Sequence, residues 1–270
     1  MVKQVTFIGA GSMAEAIIAG MINKQFLTKE QIIVTNKENE ERLAELEAKY
    51  GVVTTQDKEK ALQDAELVIF ATKPYDLEPA IDDVKPFVKK DQLILSVIAG
   101  ISTDFISDKL AQDVAVIRTM PNTSATIGYS ATAIAKGKYA NDAHIDVAKE
   151  VFSAIGVVSV VEEDQMHIVT GISGSGPAYI YYLVEAMEKA AMDHGLDQTT
   201  AKQLITQTVI GAGHMLEKVA EPVATLRENV TSPNGTTAAG IDTLASYDFQ
   251  KAVESCVANA TKRSRELGEN

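Results

Sequence analysis

The chain is 270 residues long, 46% apolar, and carries a formal net charge of −12 at pH 7. That length suits two domains with separate cores, and the apolar share is too high for a disordered chain. The acidity argues against a nucleic-acid partner, no apolar run approaches the roughly 20 residues of a membrane span, and a single cysteine rules out an intrachain disulfide.

Residues 4–9 read as a buried strand, apolar on both faces, that runs into Gly9-Ala10-Gly11-Ser12-Met13-Ala14. A lysine ahead of an apolar run gives this stretch a passing likeness to a signal peptide. The glycine turn and the acidic Glu15 break that likeness, so a cytoplasmic location is expected. A glycine turn after a strand and before a helix is the G-x-G-x-x-G/A dinucleotide fingerprint in the setting that gives it meaning. Gly9 allows the tight turn, and Gly11 lets a pyrophosphate approach the helix N–H groups. Ala14 is small enough for close helix–strand packing.

Residues 31–35 form the next expected strand. It ends on Asn36-Lys37, where NAD enzymes usually place a carboxylate for the ribose 2′-hydroxyl. Asn36 can hydrogen-bond a 2′-phosphate and Lys37 adds positive charge, so NADPH is the expected cofactor, with NADH as a second substrate of the same site. A helix over 38–50 follows, with Leu43 and Leu46 on one face. Further strands are expected at 67–72, 93–99, 114–118, 130–135 and 157–161. This alternation predicts a doubly wound parallel sheet through residue 162. Ala71-Thr72-Lys73-Pro74 lies at the C-terminal end of a strand, where open α/β sheets bind ligands. Ala99 and the Met120-Pro121-Asn122 turn end the next strands and are expected to face the nicotinamide.

From residue 163 onward the periodicity is helical, with helices expected over 177–195, 199–219 and 247–267. The middle one carries Leu204, Ile205, Val209, Ile210, Ala212, Met215 and Leu216, an arc too broad for a one-sided surface helix. It is expected to pack against another subunit, with Gly211 and Gly213 allowing close approach. Cys256 falls in an apolar helical stretch and is expected to be a buried structural thiol. His144, His167, His194 and His214 lack the spacing of a metal site, and no metal is expected. Two glycine- and hydroxyl-rich turns stand at expected helix starts: Ser173-Gly174-Ser175-Gly176-Pro177, and Thr231 through Thr237. Exposed N–H groups at such a start suit a carboxylate, with Ser175 and the later turn as candidate substrate contacts.

Five segments, GAGSMAEAI from Gly9, ATKP from Ala71, MPN from Met120, SGSGPAY from Ser173 and NVTSPNGTTAAG from Asn229, resemble pyrroline-5-carboxylate reductases along essentially the whole chain. The last is the most specific. The resemblance implies a Rossmann-type doubly wound domain over 1–162 and an all-α dimerisation and substrate-binding domain over 163–270. It implies reduction of 1-pyrroline-5-carboxylate to L-proline, the last step of proline biosynthesis, by a homodimer that in many members is built into a decamer. It further implies that Lys73 and its neighbours contact the nicotinamide-side ribose and phosphate, and that Asn229 reaches the cofactor. The Ser232 hydroxyl and the N–H groups of Gly235, Thr236 and Thr237 would hold the substrate carboxylate. Thr237 is the expected catalytic residue, orienting an imine that arrives protonated. Glu163, at the domain junction, is the expected partner of the cationic nitrogen. Two rivals are weaker. Related 3-hydroxyacid dehydrogenases place a lysine where Ile180 stands here, and an apolar side chain cannot do acid–base work. A non-catalytic relative would not need the intact glycine loop together with the complete segment from Asn229.

Overall fold

The computed structural model describes residues 2–268. The chain divides into two compact units, one containing the residues up to Pro177 together with those from Ala258 onward, the other Ala178–Val257. Among the described residues no helix is long and apolar enough to cross a membrane.

The first unit is built on strands β1 (Val5–Ile8), β2 (Ile32–Thr35), β3 (Val53–Thr54), β4 (Leu67–Phe70), β5 (Leu93–Ser96), β6 (Ala115–Met120), β7 (Ser130–Lys136) and β8 (Gly156–Val160). They form one sheet in the order β3-β2-β1-β4-β5-β6-β7-β8. The central strands are buried on both faces, and alternate residues feed two cores. Phe7, Ile69, Leu95 and Ile117 point to one core, while Ile8, Val68, Phe70 and Val116 point to the other. Helices α1 (Ser12–Asn23), α2 (Glu40–Tyr50) and α6 (Asp142–Ser153) close the first core through Ile17, Leu46 and Phe152. Helices α3 (Lys58–Leu62), α4 (Leu77–Val84) and α5 (Thr103–Leu110) close the second through Leu62, Ile81 and Ile106.

Six strands run parallel, but β6 and β7 pair antiparallel, and β8 then lies parallel to β7. The expectation of a wholly parallel sheet is therefore corrected at this edge. Only nine residues, 121–129, link β6 to β7, and a parallel return needs a crossover of a dozen or more. Strand β3 was absent from the sequence reading because two partly exposed residues carry no periodicity.

After β8 come α7 (Met166–Val169), one π-helical turn over Thr170–Gly174, and then α8 (Gly176–Asp193), α9 (Gln198–Lys218), α10 (Val223–Asn229), α11 (Thr236–Ser246) and α12 (Phe249–Glu266). In the second unit Ala201 and Ile205 are buried, whereas Tyr182, Leu204, Ile210, Met215 and Leu216 stand exposed on the single chain. Gly211 and Gly213 meet nothing on the side where a Cβ would stand. Cys256 is exposed, correcting the expectation of a buried thiol, because it lies on a face of α12 that the single chain leaves uncovered.

Candidate active site

The strand order reverses between β1 and β4, and a cleft of about 730 Å³ opens beside the C-terminal ends of these two strands. Its wall includes Gly9, Ala10, Gly11, Ser12 and Met13 after β1, Asn36 and Lys37 after β2, Ala71, Thr72, Lys73 and Pro74 after β4, and Ala99 after β5. Ala14 does not line it. That residue lies in the first turn of α1 and is fully buried in the first core.

The geometry fits a dinucleotide. Gly9 has φ +110°, and a Cβ there would lie 2.7 Å from the Ala71 carbonyl oxygen; its N–H donates to the Thr35 carbonyl at 2.8 Å. Glycine is therefore required where β1, β2 and β4 meet. Gly11 caps α1 without a side-chain hydrogen bond, so no side chain occupies the helix N-terminus. A Cβ at Gly11 would meet nothing closer than 3.9 Å, and its place is the cradle a phosphate would fill. The Thr72 hydroxyl is buried with no partner among the described residues, and a bound cofactor can supply one.

The loop is braced from behind by α2, a support the sequence reading missed. Arg42 Nε donates to the Ala10 carbonyl at 2.9 Å, and its guanidinium also pairs with Glu15. Lys49 and the Tyr50 hydroxyl donate to the same carboxylate at 2.8 and 2.9 Å. Hydrogen bonds from Lys49, then Arg42, hold the Glu15 pKa down at about 2, against 4.5 for a free side chain. Because the folded pKa is the lower one, the stabilisation is full above pH 4.5 and is lost as pH falls toward 2. Its size is on the order of 2 kcal/mol after solvent screening of this partly exposed cluster. Glu15→Gln should therefore melt below the parent protein at pH 7, and the gap should narrow as both are titrated below pH 4.5, closing only near pH 2. A gap that stays constant with pH would contradict this account.

At the tip of β2 the Asn36 side chain is turned inward. Its Nδ2 donates to the Asn39 carbonyl at 2.6 Å and its Oδ1 accepts from the Asn39 N–H at 3.1 Å. Asn36 thus shapes the turn that starts α2, and the exposed Lys37 is the expected cation beside it.

Beyond the cleft, Met120 and Asn122 support a neighbouring segment. Asn122 is buried, and its Nδ2 donates to the Ser173 carbonyl at 3.0 Å. The Met120 methyl lies 2.7 Å from where a Gly174 Cβ would stand, so a side chain there would push the end of Met120 aside. Thr123, rather than Met120 or Asn122, lines the cleft. The stretch from Ser173 to Pro177 is not the open helix start its composition suggested. It continues from α7 through the π turn, and the Ser175 N–H is already given to the Thr170 carbonyl at 2.8 Å. That removes one of the donors expected for a carboxylate. Single π turns recur at functional sites.

Glu163 is committed inside the first unit. One oxygen accepts from the Thr103 N–H at 2.7 Å, the other from the Thr103 hydroxyl at 2.6 Å, and Nη1 of the buried Arg118 lies 3.7 Å away. This arrangement favours a brace between β6, the start of α5 and the segment leading to α7 over direct contact with a substrate nitrogen.

In the second unit, residues 230–235 lead into α11. The Gly235 N–H donates to the Ser232 carbonyl at 3.0 Å, Asn234 takes φ +61°, and a Cβ at Gly235 would lie 2.5 Å from the Ser232 hydroxyl oxygen. A side chain at 235 would displace the Ser232 hydroxyl and crowd its carbonyl, and Gly235 caps α11 without a side-chain bond. Thr236 and Thr237 follow, both exposed. The result is an uncapped helix N-terminus ringed by hydroxyls, suited to a carboxylate. Asn229 donates to Glu221 at 3.0 Å within the same unit.

Two of the four histidines take structural places: His144 joins the N-terminal cap of α6, and His167 bonds the Ser264 hydroxyl at 3.1 Å. Among the described residues no group of His, Cys, Asp or Glu is arranged to hold a metal ion.

Comparison with known proteins agrees with this geometry. A family model for pyrroline-5-carboxylate reductase dimerisation matches residues 163–267, and one described as NADP oxidoreductase coenzyme F420-dependent matches residues 4–100. Pyrroline-5-carboxylate reductase 1 of Bacillus spizizenii is 45% identical over 268 residues, covering 99% of this chain and 90% of that protein. The structure of a pyrroline-5-carboxylate reductase from Coxiella burnetii matches with a TM-score of 0.91 at 33% identity, covering 99% of each chain. That of Plasmodium falciparum pyrroline carboxylate reductase with NADP bound matches with 0.89 at 25% identity, covering 98% of each. Full-length likeness, the glycine-built cleft and the complete turn at α11 lead to one conclusion: the chain belongs to the pyrroline-5-carboxylate reductases, the NAD(P)-dependent oxidoreductases that form L-proline from 1-pyrroline-5-carboxylate.

Proposed function

We propose that this reductase prefers NADPH, holds the substrate carboxylate at the start of α11 and orients the imine with Thr237. The observation that carries the substrate assignment is the uncapped turn at Gly235, whose N–H groups and hydroxyls are the right chemistry for a carboxylate. The cofactor, when bound, supplies the hydride. The chain's own work is to bind and orient. The glycine loop receives the pyrophosphate, while Ala71 through Pro74 with Ala99 shape the cleft toward the nicotinamide end. The Ser232 hydroxyl and the N–H groups of Thr236 and Thr237 fix the carboxylate, the Gly235 N–H being given to the Ser232 carbonyl, and the Thr237 hydroxyl oxygen accepts a hydrogen bond from the protonated ring nitrogen. Placement of this kind can supply much of a rate enhancement. Ser175 and Asn229 stand as secondary contacts, to substrate and cofactor respectively. By role the chain divides at residue 162, with 1–162 for the nucleotide and 163–270 for substrate and dimer contacts, although residues 163–177 and those from Ala258 onward belong to the first compact unit. A biosynthetic reductase of this kind fits a cytoplasmic setting.

The cofactor reading predicts that kcat/KM with NADPH exceeds that with NADH by about 5- to 150-fold, the worth of 1–3 kcal/mol in charge-assisted contacts. Steady-state oxidation of each cofactor in the presence of the imine measures it, and an equal or better value with NADH sinks the preference. The assembly reading rests on the dimerisation match over 163–267 and on the apolar residues that α8 and α9 expose. Light scattering is expected to give twice the 29.0 kDa chain mass, or five such dimers. A monomer that stays fully active through dilution would overturn it.

A further inference from the structure

The tip of β2 holds a cation that neither its sequence position nor the glycine fingerprint marks. Lys58, the first residue of α3, lines the cleft together with Asn36 and Lys37. Its Nζ donates to the Thr35 hydroxyl at 2.7 Å and also to the Asn36 carbonyl. An ammonium has three donors and no acceptor, and here two of the three go to neutral oxygens. Among the described residues no carboxylate lies within 4.0 Å of Lys58, and Asp83 acts on it only at longer range. The side chain is half-buried, and burial pushes its pKa below the usual lysine range. Part of a positive charge is therefore desolvated without a close counter-ion, an arrangement that an incoming anion relieves.

Its place decides which anion. Lys58 is fixed to the last residue of β2 and to the residue after it, where an NAD-type site carries a carboxylate for the ribose 2′-hydroxyl. The Asn36 amide gives its oxygen and one of its two N–H donors to Asn39, and Lys37 and Lys58 supply the positive charge at that point. We propose that Lys58 is a specificity residue of the cofactor site, contributing with Lys37 to recognition of the 2′-phosphate of NADP(H). The assignment rests on the NADPH reading above. A 2′-hydroxyl gains little from this ammonium, whereas a phosphate gains a charge-assisted bond to a donor already fixed in place.

The competing role is a strut that merely holds the β2 tip. Lys58→Gln keeps hydrogen-bond donors for the Thr35 and Asn36 oxygens and removes the charge, and Lys58→Arg keeps the charge. Calorimetric titration of the full-length protein with 2′-AMP and 5′-AMP separates the two roles without turnover. Lys58→Gln is expected to weaken 2′-AMP at least tenfold and 5′-AMP less than twofold, and Lys58→Arg to stay within about threefold of the parent for both. Asp83→Asn, an exposed change in the same wall, should tighten 2′-AMP by about threefold. Parental 2′-AMP affinity in Lys58→Gln, or an equal loss for both nucleotides, overturns the assignment. Should Lys58→Gln fail to fold, no gain in Asp83→Asn overturns it instead. A wild-type preference for NADH in kinetics would sink the cofactor reading, and the Lys58 assignment stands or falls separately on the 2′-AMP titrations.

Discussion

Gly11→Ala is expected to fold like the parent protein and yet lose most of its affinity for the dinucleotide, whereas Gly9→Ala should lose stability first. The two glycines sit two residues apart and do different work. Gly11 has φ −75°, which alanine adopts freely, and the added methyl would meet nothing closer than 3.9 Å. Such a change costs folding nothing and can stabilise by about 0.4–1 kcal/mol. Its methyl would nevertheless stand where a pyrophosphate must approach α1, and overpacking of about 1–3 kcal/mol corresponds to roughly 5- to 150-fold weaker binding. Gly9 has φ +110° and a methyl there would be driven against the Ala71 backbone. Strain at that conformation alone costs about 1–3 kcal/mol, so a lowered thermal midpoint should accompany any loss of binding. Melting curves with and without NADP+ distinguish the cases. A Gly11→Ala protein that binds NADP+ as tightly as the parent would remove the phosphate cradle from its proposed position.

Thr237→Val should lower kcat/KM by about one to two orders of magnitude while leaving the thermal midpoint almost unchanged. The two side chains are nearly isosteric and both β-branched, so the first turn of α11 loses little. The cap residue is Gly235, which uses no side chain, so the exchange removes no cap. No hydrogen bond within the described residues depends on the Thr237 hydroxyl. What disappears is one oriented acceptor at the substrate, and its loss should show in kcat more than in KM if the bond strengthens as the reaction proceeds. Thr237→Ser, which keeps the hydroxyl, should recover most of the activity. Parental kinetics in Thr237→Val would take this side chain out of the mechanism.

What could be read from sequence is what is local. Gly9, Gly11 and Ala14 announce themselves because strand, turn and helix follow within a dozen residues, and β1, β2, β4 and β5 show as short runs buried on both faces. The turn at Asn229 through Thr237 was equally legible, since one continuous segment builds it. The direction of β7 was missed although the short link after β6 already forbade a parallel return. The segment from Ser173 was misread for another reason. Its glycines and serines look like a helix start, but a π turn that joins it to α7 leaves no compositional trace. The supports of the site were out of reach. Arg42 meets Glu15 across 27 residues, Lys58 meets Asn36 across 22, Asn122 meets Ser173 across 51 and Thr103 meets Glu163 across 60. No spacing rule links such pairs, because the sheet order alone brings them together.

The helical unit is an insertion in the other one rather than an appendage to it. The chain leaves the nucleotide-binding unit after Pro177 and rejoins it at Ala258. There the end of α12 buries Ser264, which bonds His167, and a Cβ at Gly268 would lie 2.2 Å from the Gly100 carbonyl oxygen. During synthesis the sheet can assemble early, but the unit that contains it cannot close until residues 258–268 have left the ribosome. Premature termination anywhere in the helical unit would therefore injure the nucleotide site's own scaffold. A protease that cuts once between α8 and α12 would produce two pieces, each still anchored in that scaffold.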